Sequence, residues 1–276
     1  MNTVTGSRRT GDELSYVYAV GRDHDALGRT ALLLAGVDDR PVRVVARADG
    51  LAALVSRVPA DTYGEQGLKA QLEDLARLET IARAHHAVVD VAFAAATVLP
   101  MRLATVYRDD DRVTAMLEER HDEFDGLLQR LDRHVEFGVK VYADPSGVPA
   151  QEPQEPREEQ ATVSPGRAYL QQRRAQRRAG RDVRRAAAEV AADAAMAVRD
   201  LAPERVVHRP QQGELSTRAG ENVVNEAYLV PAHRAERFRS RLDALVRDTP
   251  GVRIEVTGPW APYSFATPVA DGGAAR

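Results

Sequence analysis

The sequence predicts an α+β protein built of two domains in series, and three observations predict it. The central segment HVEFGVKVY, His134 to Tyr142, alternates Val135, Phe137, Val139 and Val141 with His134, Glu136, Gly138, Lys140 and Tyr142. That period of two is the mark of a strand with one face in a core. Strand and helix signals run in the order βαββαβ from Leu14, and again from His134. Finally, 43% hydrophobic against 29% charged residues suits a folded chain.

Taken in order, residues 1–12 are polar and are expected to be disordered. Leu14, Tyr16, Tyr18 and Val20 then alternate as a strand, and a short helix is expected from Asp25 to Leu34. Val42, Val44 and Ala46 form a second strand with Arg43 and Arg47 on its other face. Asp49-Gly50 is a hairpin signal, and Leu51 to Val58 is the return strand. From Leu68 the period becomes helical, with Leu72, Leu75, Leu78, Ile81, Ala82, His85, Val88 and Val89 on one stripe. Phe93 to Thr105 reads as an extended segment interrupted by Pro100. This first domain, 13–108, is expected to be a ferredoxin-like unit or a related or irregular α/β sandwich.

Asp109, Asp110 and Asp111 precede a helix running to Leu131. Acidic residues at a helix start cap free N–H groups and complement the dipole, so capping is expected there rather than magnesium. With this helix leading in, the second domain is expected to span 109–258 as a second ferredoxin-like βαββαβ unit. Its central strand is followed by a Pro-, Glu- and Gln-rich stretch, 143–165, with almost nothing to bury, which is expected to be a mobile loop. A long helix from Gly166 to Leu201 follows, its first half carrying Arg173, Arg174, Arg177, Arg178, Arg181, Arg184 and Arg185. Strands at Glu204 to His208 and Glu221 to Val230, a helix from Ala232 to Val246 and a strand over Val252, Ile254 and Val256 complete it. Residues 259–276 form a tail.

Several function classes fall away. The chain has no cysteine, which excludes disulfides, thiolate catalysis and Cys-based metal sites. A formal charge of −3 gives no global case for nucleic acid or an anionic membrane as a partner. No apolar run approaches the ~20 residues of a membrane span, and the first residues hold no apolar stretch of a secretory signal. A cytoplasmic protein is expected. Phosphate-loop, dinucleotide, nucleophile-elbow and zinc-protease motifs are missing, so neither a cofactor nor a metal is expected, and no catalytic residue can be named.

The candidate site residues are therefore structural or interacting ones. Arg102 follows Pro100-Met101 in an apolar segment, where burying a guanidinium calls for a carboxylate partner; Glu136 is the candidate, and their pairing is the favoured contact for that strand's charged face. Lys140 shares this face. His85 lies on the apolar stripe of its helix and is expected to be a core histidine with a hydrogen-bond partner. Trp260, Tyr263 and Phe265 concentrate aromatics in a chain with 5% of them, and packing back onto the body to lock the two domains together is favoured over an exposed patch. Two other readings stay open at this point: a small-ligand module or enzyme around Arg102, and RNA binding through the arginine-rich helix.

YVYAV near the start, LPMRLATVY at 99–107, HVEFGVKVY, GRAYL at 166–170 and TGPWAPYSF at 257–265 together resemble the gas vesicle protein GvpL/GvpF family. The resemblance runs from about Leu14 to Phe265 in the family's order. Where the family commonly has Phe-Gly after Leu-Pro-x-Arg, this chain has Leu103-Ala104. The resemblance implies two α+β domains, the second a modified ferredoxin-like unit, and a non-enzymatic role as a minor or accessory protein of gas vesicles. It implies association with the main shell protein GvpA and other accessory proteins during nucleation.

Overall fold

In the computed structural model the described residues are 13–22, 24–48, 50–147, 165–210, 220–245 and 249–267. The expected disorder of 1–12, and all but the two ends of the expected loop at 143–165, lie outside them. The chain divides into two units, 1–134 with 260–276, and 135–259. The division falls at 134/135 and not at 108/109, and the tail counts with the first unit.

The first unit comprises β1 (Glu13–Gly21), α1 (His24–Ala31), β2 (Val42–Ala46), β3 (Ala52–Pro59), α2 (Ala60–Tyr63), α3 (Glu65–Glu73), α4 (Leu75–Ala95), β4 (Val98–Pro100), β5 (Val106–Tyr107), α5 (Asp110–Glu119) and α6 (His121–Leu131). Its sheet runs β2-β3-β1-β4, with β5 also pairing β1. β1 is antiparallel to β3, β4 and β5. Alternation predicts one buried face for β1, yet Tyr16 through Val20 are all buried. The reason is that helices lie on both sides of the sheet. On one, Tyr16, Tyr18, Leu54 and Val58 pack with Leu27 of α1 and Ile81, Val88 and Val89 of α4. On the other, α5 packs on β2, β3 and β5.

That second layer explains the corrected boundary. Asp110 at the start of α5 accepts hydrogen bonds from Arg43 of β2 at 2.7 and 2.6 Å and from Ser15 of β1 at 2.7 Å. Arg47 pairs with Glu118 at 3.0 Å, and Arg22 donates to the Asp125 carbonyl of α6 at 2.9 Å. The helices that were expected to open the second unit thus close the first.

Two helices are broken where the sequence reads one. Asp74 separates α3 from α4 and caps the latter, its carboxylate accepting from the N–H groups of Ala76 and Arg77. The break turns Leu72 and Leu75 outward, at 39% and 69% exposure, off the expected buried stripe. Arg120 separates α5 from α6. Phe93 belongs to α4, so the extended segment is shorter than Phe93 to Thr105; only Val98–Pro100 and Val106–Tyr107 are strands.

The second unit holds β6 (His134–Ala143, from its second residue), α7 (Pro165–Val198), β7 (Glu204–His208), β8 (Glu221–Pro231), α8 (Ala235–Asp243) and β9 (Val252–Trp260, to Pro259). Its sheet runs β7-β8-β6-β9. Counted within each unit, both four-strand paths follow the order second, third, first, fourth. α7 and α8 cover one face: Phe137, Val139, Tyr228 and Val230 pack with Ala194, Val198, Phe238 and Leu242, and Val141 packs with Val183 and Ala187. The Phe137 and Phe238 ring centroids are 5.1 Å apart, within the range of favourable aromatic pairs.

Candidate functional site

The Leu-Pro-x-Arg segment sits over a buried polar knot. His85, 2% exposed in α4, places Nδ1 3.0 Å from the Tyr16 hydroxyl and Nε2 3.2 Å from the Met101 carbonyl. A carbonyl only accepts, so Nε2 carries the proton and Tyr16 donates to Nδ1. Tyr16 Oη in turn accepts the Ala104 N–H at 3.1 Å. Next to it, Tyr18 donates to Ser56 Oγ at 2.9 Å and accepts the Val37 N–H at 2.9 Å. Burial drives the His85 pKa down to about 4, against the opposing pull of the Met101 carbonyl. It pushes the Tyr16 and Tyr18 hydroxyls up. The knot is therefore neutral at pH 7, and the core-histidine expectation holds for His85.

Above this knot the backbone turns outward. Ala104 adopts φ +64°, the left-handed region that favours glycine, which gives a physical reason for the family's Phe-Gly at this place. Arg102 and Leu103 are exposed. Arg102 is thus not the buried guanidinium the segment's apolarity implied, and burial no longer demands a carboxylate for it. Its backbone carbonyl, not its side chain, does the local work, accepting from Thr105 N–H at 3.2 Å and Oγ1 at 2.7 Å.

The tail aromatics meet the outer side of the same helix. His86 points away from His85; Tyr263 Oη lies 3.0 Å from His86 Nδ1, with the rings stacked at 5.4 Å. Trp260, 40% exposed, is 5.4 Å from the same imidazole. Ala261 and Phe265 are buried, and Ala261 and Tyr263 pack into the core of the first unit. Sequence reasoning missed His86, whose only signal was its place beside a core histidine.

In the second unit, Glu136 is buried and Lys140 half-buried. Their face is not uniformly solvated: Tyr142 on it is 7% exposed and lies under Arg253, 4.0 Å from the ring centroid. A buried carboxylate that sequence reasoning did not single out is Glu226, which accepts from Arg205 at 3.2 Å and from the Tyr228 hydroxyl at 2.5 Å. Arg205 on β7 stands directly opposite Tyr228 on β8.

The aspartate run caps. Asp109 accepts the Arg112 N–H at 2.9 Å, while Asp110 holds the arginines. Burial alone raises the Asp110 carboxyl, but hydrogen bonds from Arg43 and Ser15 and the charges of Arg43 and Arg57 outweigh it and keep it below the usual range. Among the described residues no group of His, Asp and Glu is placed to hold a metal, and no helix is long and apolar enough to cross a membrane.

Among the described residues, the two most exposed large apolar side chains were not flagged by periodicity. Leu32 and Leu33, just past α1, are 86% and 84% exposed. Asp38, in the turn that follows them, pairs with Arg77 in the first turn of α4 at 2.5 Å. The pair ties the turn after Leu32-Leu33 to the start of α4, which lies close in sequence to Leu72 and Leu75. Exposed leucines that form one contiguous patch mark an interaction surface.

Three outcomes follow. His85 has a depressed folded pKa, so its contribution to stability is complete above pH 6.5 and is lost as pH falls toward 4. Urea melts across that window should show a loss of about 3 kcal/mol, flattened in His85→Gln. Ala104→Gly relieves the left-handed strain and should raise the unfolding free energy, read from urea melts, by roughly 0.5–1 kcal/mol. Truncation before Gly258 removes Phe265 and Ala261 from burial and should lower Tm by about 10 °C, from a few kcal/mol of lost packing.

Comparison with known proteins finds relatives over nearly the whole chain. Residues 14–267 match the gas vesicle synthesis protein GvpL/GvpF family. The chain is 43% identical to gas vesicle protein L of Streptomyces sp. (strain CB03234) over 255 residues, covering 92% of this chain and 93% of that one. It is 31% identical to gas vesicle protein F of the same strain, covering 91% and 98%. The crystal structure of GvpF from Anabaena sp. PCC7120 superposes with a TM-score of 0.63 at 19% identity, covering 93% of this chain and 97% of that one, so the mixed α+β fold is shared. The chain belongs to the GvpL/GvpF family of gas vesicle proteins.

Proposed function

We propose that this protein is a non-enzymatic accessory or minor structural component of gas vesicles. It binds the main shell protein GvpA and other accessory proteins during nucleation and assembly, and limits aggregation of the shell protein beforehand. It acts in the cytoplasm and at the growing vesicle, without a nucleic-acid or membrane partner. The observation that carries the reading is the match to gas vesicle proteins over nearly the whole chain. The higher identity to the L protein than to the F protein of one strain, 43% against 31%, supports an L-type assignment.

Both units are read as ferredoxin-like, each a βαββαβ order with its first strand inside the sheet. A soluble partner for a very apolar shell protein must itself offer apolar surface or an open strand edge. The leucines at 32, 33, 72 and 75 supply the surface, with Arg102 and Leu103 a second exposed corner. Contact through Glu136 and Lys140 is the remaining option on the central strand.

Light scattering of GvpA, with and without this protein, tests the reading together with co-purification. The expected result is association and delayed scattering, with most of the delay lost in a Leu32→Glu, Leu33→Glu, Leu75→Glu variant. Such exposed changes alter stability by no more than about 0.5 kcal/mol each, so the loss would report on binding. No association and no change in scattering would sink the proposal.

A further inference from the structure

The 34 residues of α7 make a helix about 51 Å long, but its core contacts come from the C-terminal part. Among its described side chains the first buried one is Val183, followed by Ala187, Ala194 and Val198. Among the described side chains from Tyr169 to Ala179, every one is exposed. This stretch therefore lacks the packing that ordinarily stabilises a helix.

Its charges make matters worse. From Pro165 to Arg181 the sequence contains six arginines and no aspartate or glutamate. Arg173 and Arg177, Arg174 and Arg178, and Arg177 and Arg181 are like-charge pairs four residues apart, which destabilise a helix. At 100° per residue, Arg173, Arg174, Arg177, Arg178, Arg181, Arg184 and Arg185 fall within an arc of about 140°. The buried residues Val183, Ala187, Ala194 and Val198 lie outside that arc. Further along, Arg184 pairs with Glu221 and Arg185 with Asp182, so carboxylates answer the arginines once the helix reaches the body of its unit. An exposed helix whose charges repel one another breaks the local rules of stability, and such breaches concentrate at functional sites.

We propose that the N-terminal half of α7 is a docking site for an acidic protein segment, with carboxylates at helical spacing facing the arginine stripe. Charge complementarity carries this assignment, since the chain as a whole is at −3 and exerts no general attraction for anions. Exposed Tyr169 and Leu170, at 57% and 55%, give a protein partner apolar anchors at the end of the stripe. A nucleic acid is less well matched because base stacking needs free aromatic faces, and Tyr169 has Arg173 5.7 Å from its ring centroid. A bilayer is less well matched because the side away from the arginines carries Ala175, Gln176 and Ala179 in place of large apolar residues. The inference rests on packing and charge alone and is independent of shell-protein binding.

The test uses the full chain and a synthetic amphipathic peptide with glutamate at every fourth position. The peptide should bind with an affinity that falls steeply with salt. Substituting Arg173→Gln, Arg174→Gln, Arg177→Gln and Arg178→Gln together should weaken it roughly tenfold or more; glutamine keeps the helix propensity. Hydrogen exchange over residues 169–181 should slow on binding. Equal affinity in the glutamine variant overturns the proposal. Tighter engagement of the same arginines by a polyuridine oligonucleotide or by phosphatidylserine vesicles also overturns it.

Discussion

A strand buried on both faces cannot leave a polar atom unmatched, and β1 imposes that constraint on the first unit. It brings Tyr16, Tyr18 and Ser15 into the interior, where an unpaired hydroxyl would cost about 1–3 kcal/mol. The partners come from the whole length of the unit: His85 from α4, Ser56 from β3, Asp110 from α5 and the backbone of Ala104. Satisfying β1 thus fixes where the helices and the Leu-Pro-x-Arg turn must lie.

The same constraint accounts for what could be read in the sequence. β6 is legible because Phe137, Val139 and Val141 enter a core on one face while Gly138 and Lys140 do not. β1 obeys no such alternation: its second buried face, with Ser15 and Val17, is invisible to a period-of-two argument, and a register shift between Val17 and Ala19 returns Ala19 to the core of Tyr16 and Tyr18. The α5–α6 pair was read as one helix entering the second unit, because periodicity reports that a face is apolar but not which sheet it covers. Arg43 and Arg47, read only as a strand's outer face, were the available signal: two arginines in register imply carboxylates above them, and Asp110 and Glu118 are those carboxylates. The Asp74 break had a signal too, since aspartate before an apolar periodic run is a helix start.

Site reading divided along similar lines. His85 was legible because a histidine on an apolar stripe has little choice but a neutral, hydrogen-bonded state. Arg102 was misjudged because an apolar neighbourhood in sequence was taken for one in space. Ala104, two residues on and at positive φ, turns the chain there, and Arg102 is exposed. Leu72 and Leu75 were assigned to the core by period alone, and they lie on the surface on either side of the Asp74 break.

In the first unit a polar knot holds the frame, and Leu32, Leu33, Leu72 and Leu75 stay exposed outside it. The proposed role rests on these exposed leucines receiving the shell protein. Hydrogen exchange of the full chain with and without GvpA tests this most directly. The account predicts added protection at residues 28–34 and 68–78. Protection confined to the second unit would contradict it.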